Sequence, residues 1–323
     1  MEEQPKPGWF DIVLALVVTA AIYFAGFFAA TYAESWGWAL FYFSPLTASF
    51  AGTWALCRSK MFTFQQAWTV QWIALVLAGL GMLVFLIEGV ICLIMAAPVY
   101  GLATAAGTAL CRWVIETYSD PKPAQLSLLA VFPIALAVET RSSQEPWYDT
   151  IETSILISSS PNEIWPYLSN LDIPEKPKEF LFARGVAHTI EVRTFGEGVG
   201  ARRDCVLSTG TMPETITVWE PPRHLRFEVH ATPESMKEMN PFGHVDTDHL
   251  VGYFTCHFGE FELEQTASGS TILTGRSTYS CRFGPKLYWQ LWTRKIVRDT
   301  HLRVMNKVRD LSQASRTLDR ATH

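Results

Sequence analysis

Two side chains in the second half of this sequence combine acid–base chemistry with a place on an apolar face: His301 and Tyr279. His301 stands beside Val297, Val304 and Val308 at helical spacing. A neutral imidazole there can orient a ligand oxygen or serve as a base near neutral pH, and the same position equally suits a core or rim histidine bonded to backbone. Tyr279 shares a strand face with Leu273, so its hydroxyl requires a buried partner or a ligand. Arg203 shares a face with Cys205 and Leu207. If that face is inward, the guanidinium needs an internal carboxylate or the acid group of a ligand; in the opposite register Arg202 takes its place and Arg203 is solvated. Trp289 and Trp292 fit either the mouth of a cavity or a packed core.

Other combinations argue against chemistry. His244, Asp246, Asp248 and His249 form the densest polar knot, but their spacing matches no defined metal motif, and neither metal nor cofactor is expected. The run Gly196-Glu-Gly-Val-Gly lacks the third-glycine spacing of a dinucleotide loop and falls between strands, not before a helix. Gly-x-Ser-x-Gly, HExxH and Walker patterns are missing, and the six cysteines show no paired spacing, so they read as free thiols.

The elements that must position these groups divide into two parts. Of the 323 residues 49% are hydrophobic and 18% charged, below the roughly 25% charged of a soluble domain. The first 140 residues hold 13 charges and the remaining 183 hold 44, with net charges of −3 and −2. A uniformly soluble enzyme and a basic nucleic-acid-binding surface are both excluded by this distribution. Ile12 to Ala30 is long enough to cross about 30 Å of hydrocarbon, and its acidic start and length argue against a signal peptide. Trp36 to Leu56 reads as a second span. Val70 to Trp113 reads as a hairpin of two more, with Glu88 near the turn. Ala124 to Val138, with Pro133 inside, is short for a fifth. With five crossings Lys6, Arg58, Lys60, Arg112 and Lys122 share one side and Glu34, Glu88 and Glu139 the other, which puts the N-terminus in the cytoplasm and the C-terminal domain outside it. With four crossings that domain is cytoplasmic.

A linker is expected over 141–148, a domain over 149–315 and a tail over 316–323. Thr150 to Ser158 alternates as a strand, with Ile151, Thr153, Ile155 and Ile157 on one face. Ser160, Pro161 and Glu163 form a helix start, predicting a helix over Pro161 to Asn170. Strands are predicted over His188 to Thr194, Ala201 to Ser208, Glu214 to Glu220, His224 to Ala231, His249 to Thr266 with a break near Gly259, and Thr271 to Tyr279. Inward Leu225, Phe227, Val229, Phe261 and Leu263 face a long amphipathic helix over Pro285 to Ser315, whose apolar stripe is read as Trp289, Trp292, Ile296, Thr300, Val304, Val308 and Leu311. One helix is too narrow to fill so wide a sheet, so a cavity is expected.

The segment Thr153 to Trp165, the string Gly198-Val-Gly-Ala-Arg-Arg, the string Glu214-Thr-Ile-Thr-Val-Trp-Glu-Pro-Pro and the closing helix resemble the SRPBCC superfamily, within it the polyketide-cyclase/dehydrase and lipid-transport branch. His249-Leu-Val-Gly, Gly259-Glu-Phe-Glu-Leu and Leu287 to His301 are similar to bacterial membrane-anchored members. The resemblance covers Thr150 to Gln313 and implies a START-like helix-grip fold, a curved antiparallel sheet around a long C-terminal helix, behind an α-helical transmembrane bundle. It also implies residence in a bacterial inner membrane. The partners expected are the lipid bilayer and a hydrophobic small molecule or lipid, held by Trp289, Trp292, Ile296, Thr300, His301, Tyr279, Phe227 and Arg203. A cyclase/dehydrase enzyme using His301 or Tyr279, and a membrane scaffold for a protein partner, are the alternatives.

Overall fold

A computed structural model describes residues 8–58, 62–118, 127–142, 145–245 and 251–321. It divides into two compact units: residues 1–145 with 239–249 and 283–288, and residues 146–238 with 250–282 and 289–323.

The first unit is helical. Helices α1 (Trp9–Tyr32), α2 (Ser44–Leu56, entered through a π-helical turn Ala39–Phe43), α3 (Phe64–Val84), α4 (Val90–Thr117) and α5 (Val131–Arg141) follow in order. Three of them, α1, α3 and α4, are long and apolar enough to cross a membrane. Helix α3 begins with a capping box in which Thr63 N–H donates to Gln66 and Gln66 N–H to Thr63 Oγ1, at 2.9 and 3.3 Å. Glu88 lies in the turn between α3 and α4, where the sequence places it. The chain after α4 runs back along the bundle. Leu128 and Leu129 pack with Phe50, Cys111 and Val114, whereas Glu139 accepts from the backbone N–H groups of Trp38 and Ala39, each at 2.9 Å. A carboxylate on the free N–H groups that open the π-turn is the stabilising arrangement for a helix N-terminus.

In the second unit, strands β1 (Trp147–Ile157), β2 (Leu171–Asp172), β3 (Thr189–Phe195), β4 (Arg202–Leu207), β5 (Gly210–Glu220), β6 (His224–Val229), β7 (Phe254–Gln265) and β8 (Thr271–Cys281) form one antiparallel sheet. Its order is β1-β8-β7-β6-β5-β4-β3-β2, curled into a half-barrel. Helix α6 (Pro161–Ser169) follows β1, and Ser160 N–H donates to Glu163 at 2.6 Å at its start. The long α7 (Lys286–Ala321) closes the chain. Gly196, Gly198 and Gly200 all have φ near +90°, a region that L side chains rarely enter, and make the β3–β4 turn. The core gathers Ile157, Ile164 and Leu168 with Ile216, Leu225, Leu273 and, from α7, Val304, Met305 and Val308. This is a helix-grip fold.

Three sequence expectations need correction. Helix α7 continues to Ala321, so the expected tail at 316–323 is helical as far as it is described. β7 shows no break at Gly259; its irregularity falls between Cys256 and Phe258, and the strand begins at Phe254. The buried face of α7 runs through Trp289, Thr293, Val297, His301, Val304, Met305 and Val308, whereas Trp292, Ile296 and Thr300 are half-buried at its border. All six cysteines are free.

Candidate functional site

The inner wall of the half-barrel carries three groups of polar side chains. The first is a charge pair in the middle of the sheet. Arg203 on β4 is directly opposite Glu214 on β5, and both face the core, 3% and 1% exposed. Arg203 Nη1 donates to Glu214 Oε2. Arg203 Nε and Glu214 Oε1 are buried with no hydrogen-bond partner. The guanidinium lies 4.1 Å above the ring of Phe227, which belongs to the apolar core with Cys205 and Ile216. That ring is why position 259 is glycine: a Cβ there would stand 2.4 Å from it. Burial pushes the Glu214 carboxyl up, against the pull of Arg203. Burial likewise pushes the Cys205 and Cys256 thiols up to about 12, so neither is a nucleophile near neutral pH.

The second group surrounds His301, 7% exposed on α7. Its Nε2 is 2.8 Å from Ser277 Oγ and its Nδ1 is 3.1 Å from Thr153 Oγ1. Burial lowers its pKa to about 4, so the ring is neutral over the physiological range. The third centres on Tyr279, whose hydroxyl is 2.8 Å from Thr293 Oγ1 and donates to Asp149 Oδ2 at 3.2 Å. Asp149 also accepts from Arg294 Nε and Nη2 at 2.7 and 3.0 Å and from Gln290 at 2.9 Å. The Arg294 contact holds its carboxyl down at about 2. Burial raises the tyrosine pKa well above its ordinary value.

The two residues singled out for acid–base chemistry are therefore held by protein partners on each polar atom. Arg203, by contrast, keeps an unbonded N–H. Of the expected ligand contacts, Phe227 and Arg203 are brought together, and His301 and Tyr279 each belong to a separate network. Trp289 is buried, and Trp292, Ile296 and Thr300 border the buried face. The Thr300 hydroxyl donates to Ile296 O at 2.9 Å. Glu214 escaped sequence reasoning as a site residue. Its signal was the alternation Met212, Glu214, Ile216, which puts the carboxylate on the apolar face.

The polar knot around His244 is described only at His244, which is exposed; Asp246, Asp248 and His249 lie outside the described residues. His224, Glu260 and Glu262 bring ligand-type atoms within 4.8 Å of one another. Arg276 already lies in that group, with Nη1 at 3.1 Å from Glu260 and 2.9 Å from Glu262 and Nε at 2.6 Å from Glu152, so the cluster is an ion network with its own cation.

No family model and no curated protein matches this chain. Solved structures do resemble it. A norcoclaurine synthase point mutant from Thalictrum flavum, in complex with a transition-state analogue, aligns over 53% of this chain and 98% of its own at 12% identity and a TM-score of 0.36. Protein MLL2253 from Mesorhizobium loti aligns over 51% and 98% at 16% identity and 0.32. Protein NE0264 from Nitrosomonas europaea aligns over 55% and 99% at 12% and 0.32. At such identities and scores the likeness carries over neither ligand nor reaction.

Proposed function

We propose that this chain is a membrane-tethered binding protein whose half-barrel holds a hydrophobic small molecule or lipid. The observation that carries the reading is the inward Arg203–Glu214 pair, two charged groups in an apolar wall with one donor and one acceptor unbonded. Buried polar atoms without partners are uncommon and destabilising, and a ligand that supplies the missing bonds removes the deficit. The ligand's apolar body then lies against Phe227 and the border residues Ile296 and Thr300. The protein partners of His301 and Tyr279 support binding over acid–base chemistry.

The test is extraction and mass spectrometry of the full chain purified with minimal detergent. A bound molecule at near-equimolar amount is expected, and Thr300→Trp should expel it at near-wild-type melting temperature. Retained ligand, or a melt lowered by the roughly 1–3 kcal/mol of overpacking with no ligand in the wild type, rejects the reading.

The bundle is proposed to cross the bilayer, in a bacterial inner membrane by the family resemblance. Glu139 beside Trp38, with Leu128 beside Cys111, supports a fifth passage of the chain. Together with Arg58 and Arg112 on the opposite end, this favours a cytoplasmic N-terminus and an external helix-grip domain. Reporter fusions after Lys60 and Lys122 should read cytoplasmic and a fusion after Ser143 external; a cytoplasmic signal after Ser143 rejects the fifth crossing.

A further inference from the structure

Two stretches of the C-terminal half belong to the helical unit: 239–249, between β6 and β7, and 283–288, between β8 and α7. Both are fastened by hydrogen bonds. Met239 O accepts from Val90 N–H at 3.0 Å, and Asn240 Nδ2 donates to Leu83 O at 2.9 Å and Glu88 O at 3.1 Å. Asn240 Oδ1 accepts from Phe242 N–H at 2.9 Å. In the other stretch Gly284 N–H donates to Trp36 O at 2.9 Å, Tyr288 Oη donates to Met95 O, and Phe283 meets Trp36 edge to face at 6.4 Å.

These anchors sit on the α3–α4 turn and the α1–α2 connection, at one end of the bundle. The side chains around them point outward and are apolar: Met239, Phe242 and Leu287 are 47%, 59% and 81% exposed, beside Phe85 at 72%. Exposed apolar side chains in water weaken folding, and irregular backbone is tolerated near hydrocarbon only where its N–H and C=O groups find partners within the protein. Both conditions point the same way here. The backbone and Asn240 bonds supply partners, and the outward faces offer what an interfacial aromatic and aliphatic collar offers. From Met239 to Val245 the stretch carries no acidic or basic residue other than His244.

We infer that the Met239–Val245 and Phe283–Tyr288 stretches are built into the bilayer interface, with Met239, Phe242 and Leu287 in contact with lipid. This rests on the membrane-spanning reading of the bundle. It makes the helix-grip domain attached to the bilayer at three segments of the chain instead of one.

The test places a photoreactive benzophenone amino acid singly at positions 242, 287, 85 and 195 of the full chain. The chain is held in bilayer discs of phosphatidylethanolamine and phosphatidylglycerol, and covalent lipid adducts are read by mass. Phe195, 53% exposed on β3, is the aqueous control. Adducts at 242 and 287 are expected within about threefold of those at 85 and roughly tenfold above those at 195. Asn240→Ala should lower the yield at 242 severalfold and leave that at 85 unchanged, which separates release of the loop from loss of the fold. Lipid adducts at 85 with only background or protein adducts at 242 and 287 overturn the inference alone. Background at 85 overturns the spanning reading and this inference with it.

Discussion

Arg203→Ala is expected to lower the stability of the helix-grip domain by about 3–5 kcal/mol, whereas the double variant Arg203→Met/Glu214→Leu should melt close to the wild type. The two results differ because of what each leaves behind. In the single variant the Glu214 carboxylate, 1% exposed in the wild type, is left with no cation beside it. Its only relief is protonation, which burial already favours. The single variant also removes a guanidinium packed on Phe227 and leaves a void above that ring. In the double variant two apolar side chains of similar volume replace a pair whose mutual attraction is offset by desolvation, and the unbonded Nε and Oε1 are gone. Near-ultraviolet circular dichroism through the melt of the full chain reads the outcome. A double variant as unstable as the single one would show that the pair is needed for the fold. Wild-type stability in the double variant, together with lost ligand, identifies the pair as kept for binding.

Much of this architecture was legible because local signals were not in competition. The alternation of Ile151, Thr153, Ile155 and Ile157, the Ser160–Glu163 helix start and the hairpin around Glu88 each follow from one physical rule, and the structure has them where the rule puts them. What the sequence did not show is register. Whether Arg203 or Arg202 faces inward depends on the pairing of β4 with β5, and the sheet shifts register between Thr189 and Glu191, Ile216 and Val218, and Cys256 and Phe258. Each irregularity moves every later side chain to the other face. Gly259 reads as a break in isolation, but its missing side chain makes room for Phe227 from the neighbouring strand, a contact visible only in three dimensions. The stripe on α7 is offset for a related reason. Three- and four-residue spacing from Trp292 leads through Ile296 and Thr300, whereas Thr293 and His301 are the buried positions, because Tyr279, Ser277 and Thr153 on the sheet supply their hydrogen bonds. The same offset decides the chemistry, since it gives the imidazole two hydroxyl partners.

Acidification from pH 6.5 to 4.5 should lower the stability of Arg203→Met/Glu214→Leu more steeply than that of the wild type. His301 titrates at about 4 in the folded protein against an ordinary 6.5. Between those values the unfolded chain binds a proton that the folded one does not, so stability is lost as the pH falls through this window, by about 3 kcal/mol in total at roughly 1.4 kcal/mol per unit. Glu214 has the opposite sign. Its folded carboxyl is pushed above the ordinary 4.5, so over the same window the folded protein holds a proton that the unfolded chain has released, and stability falls as the pH rises. The two slopes oppose one another in the wild type, and removing the pair uncovers the full slope of the histidine. His188, half-buried with its pKa also lowered by burial, adds a smaller slope of the same sign as His301. Asp149, held at about 2, acts only below the window. Adding His301→Gln to the double variant, which keeps groups able to bond Thr153 and Ser277, should remove most of the uncovered slope and leave the share of His188. A double variant that melts at the same temperature at both pH values would mean that His301 accepts its proton in the folded state, and its place as a neutral, fully bonded core histidine would have to be given up.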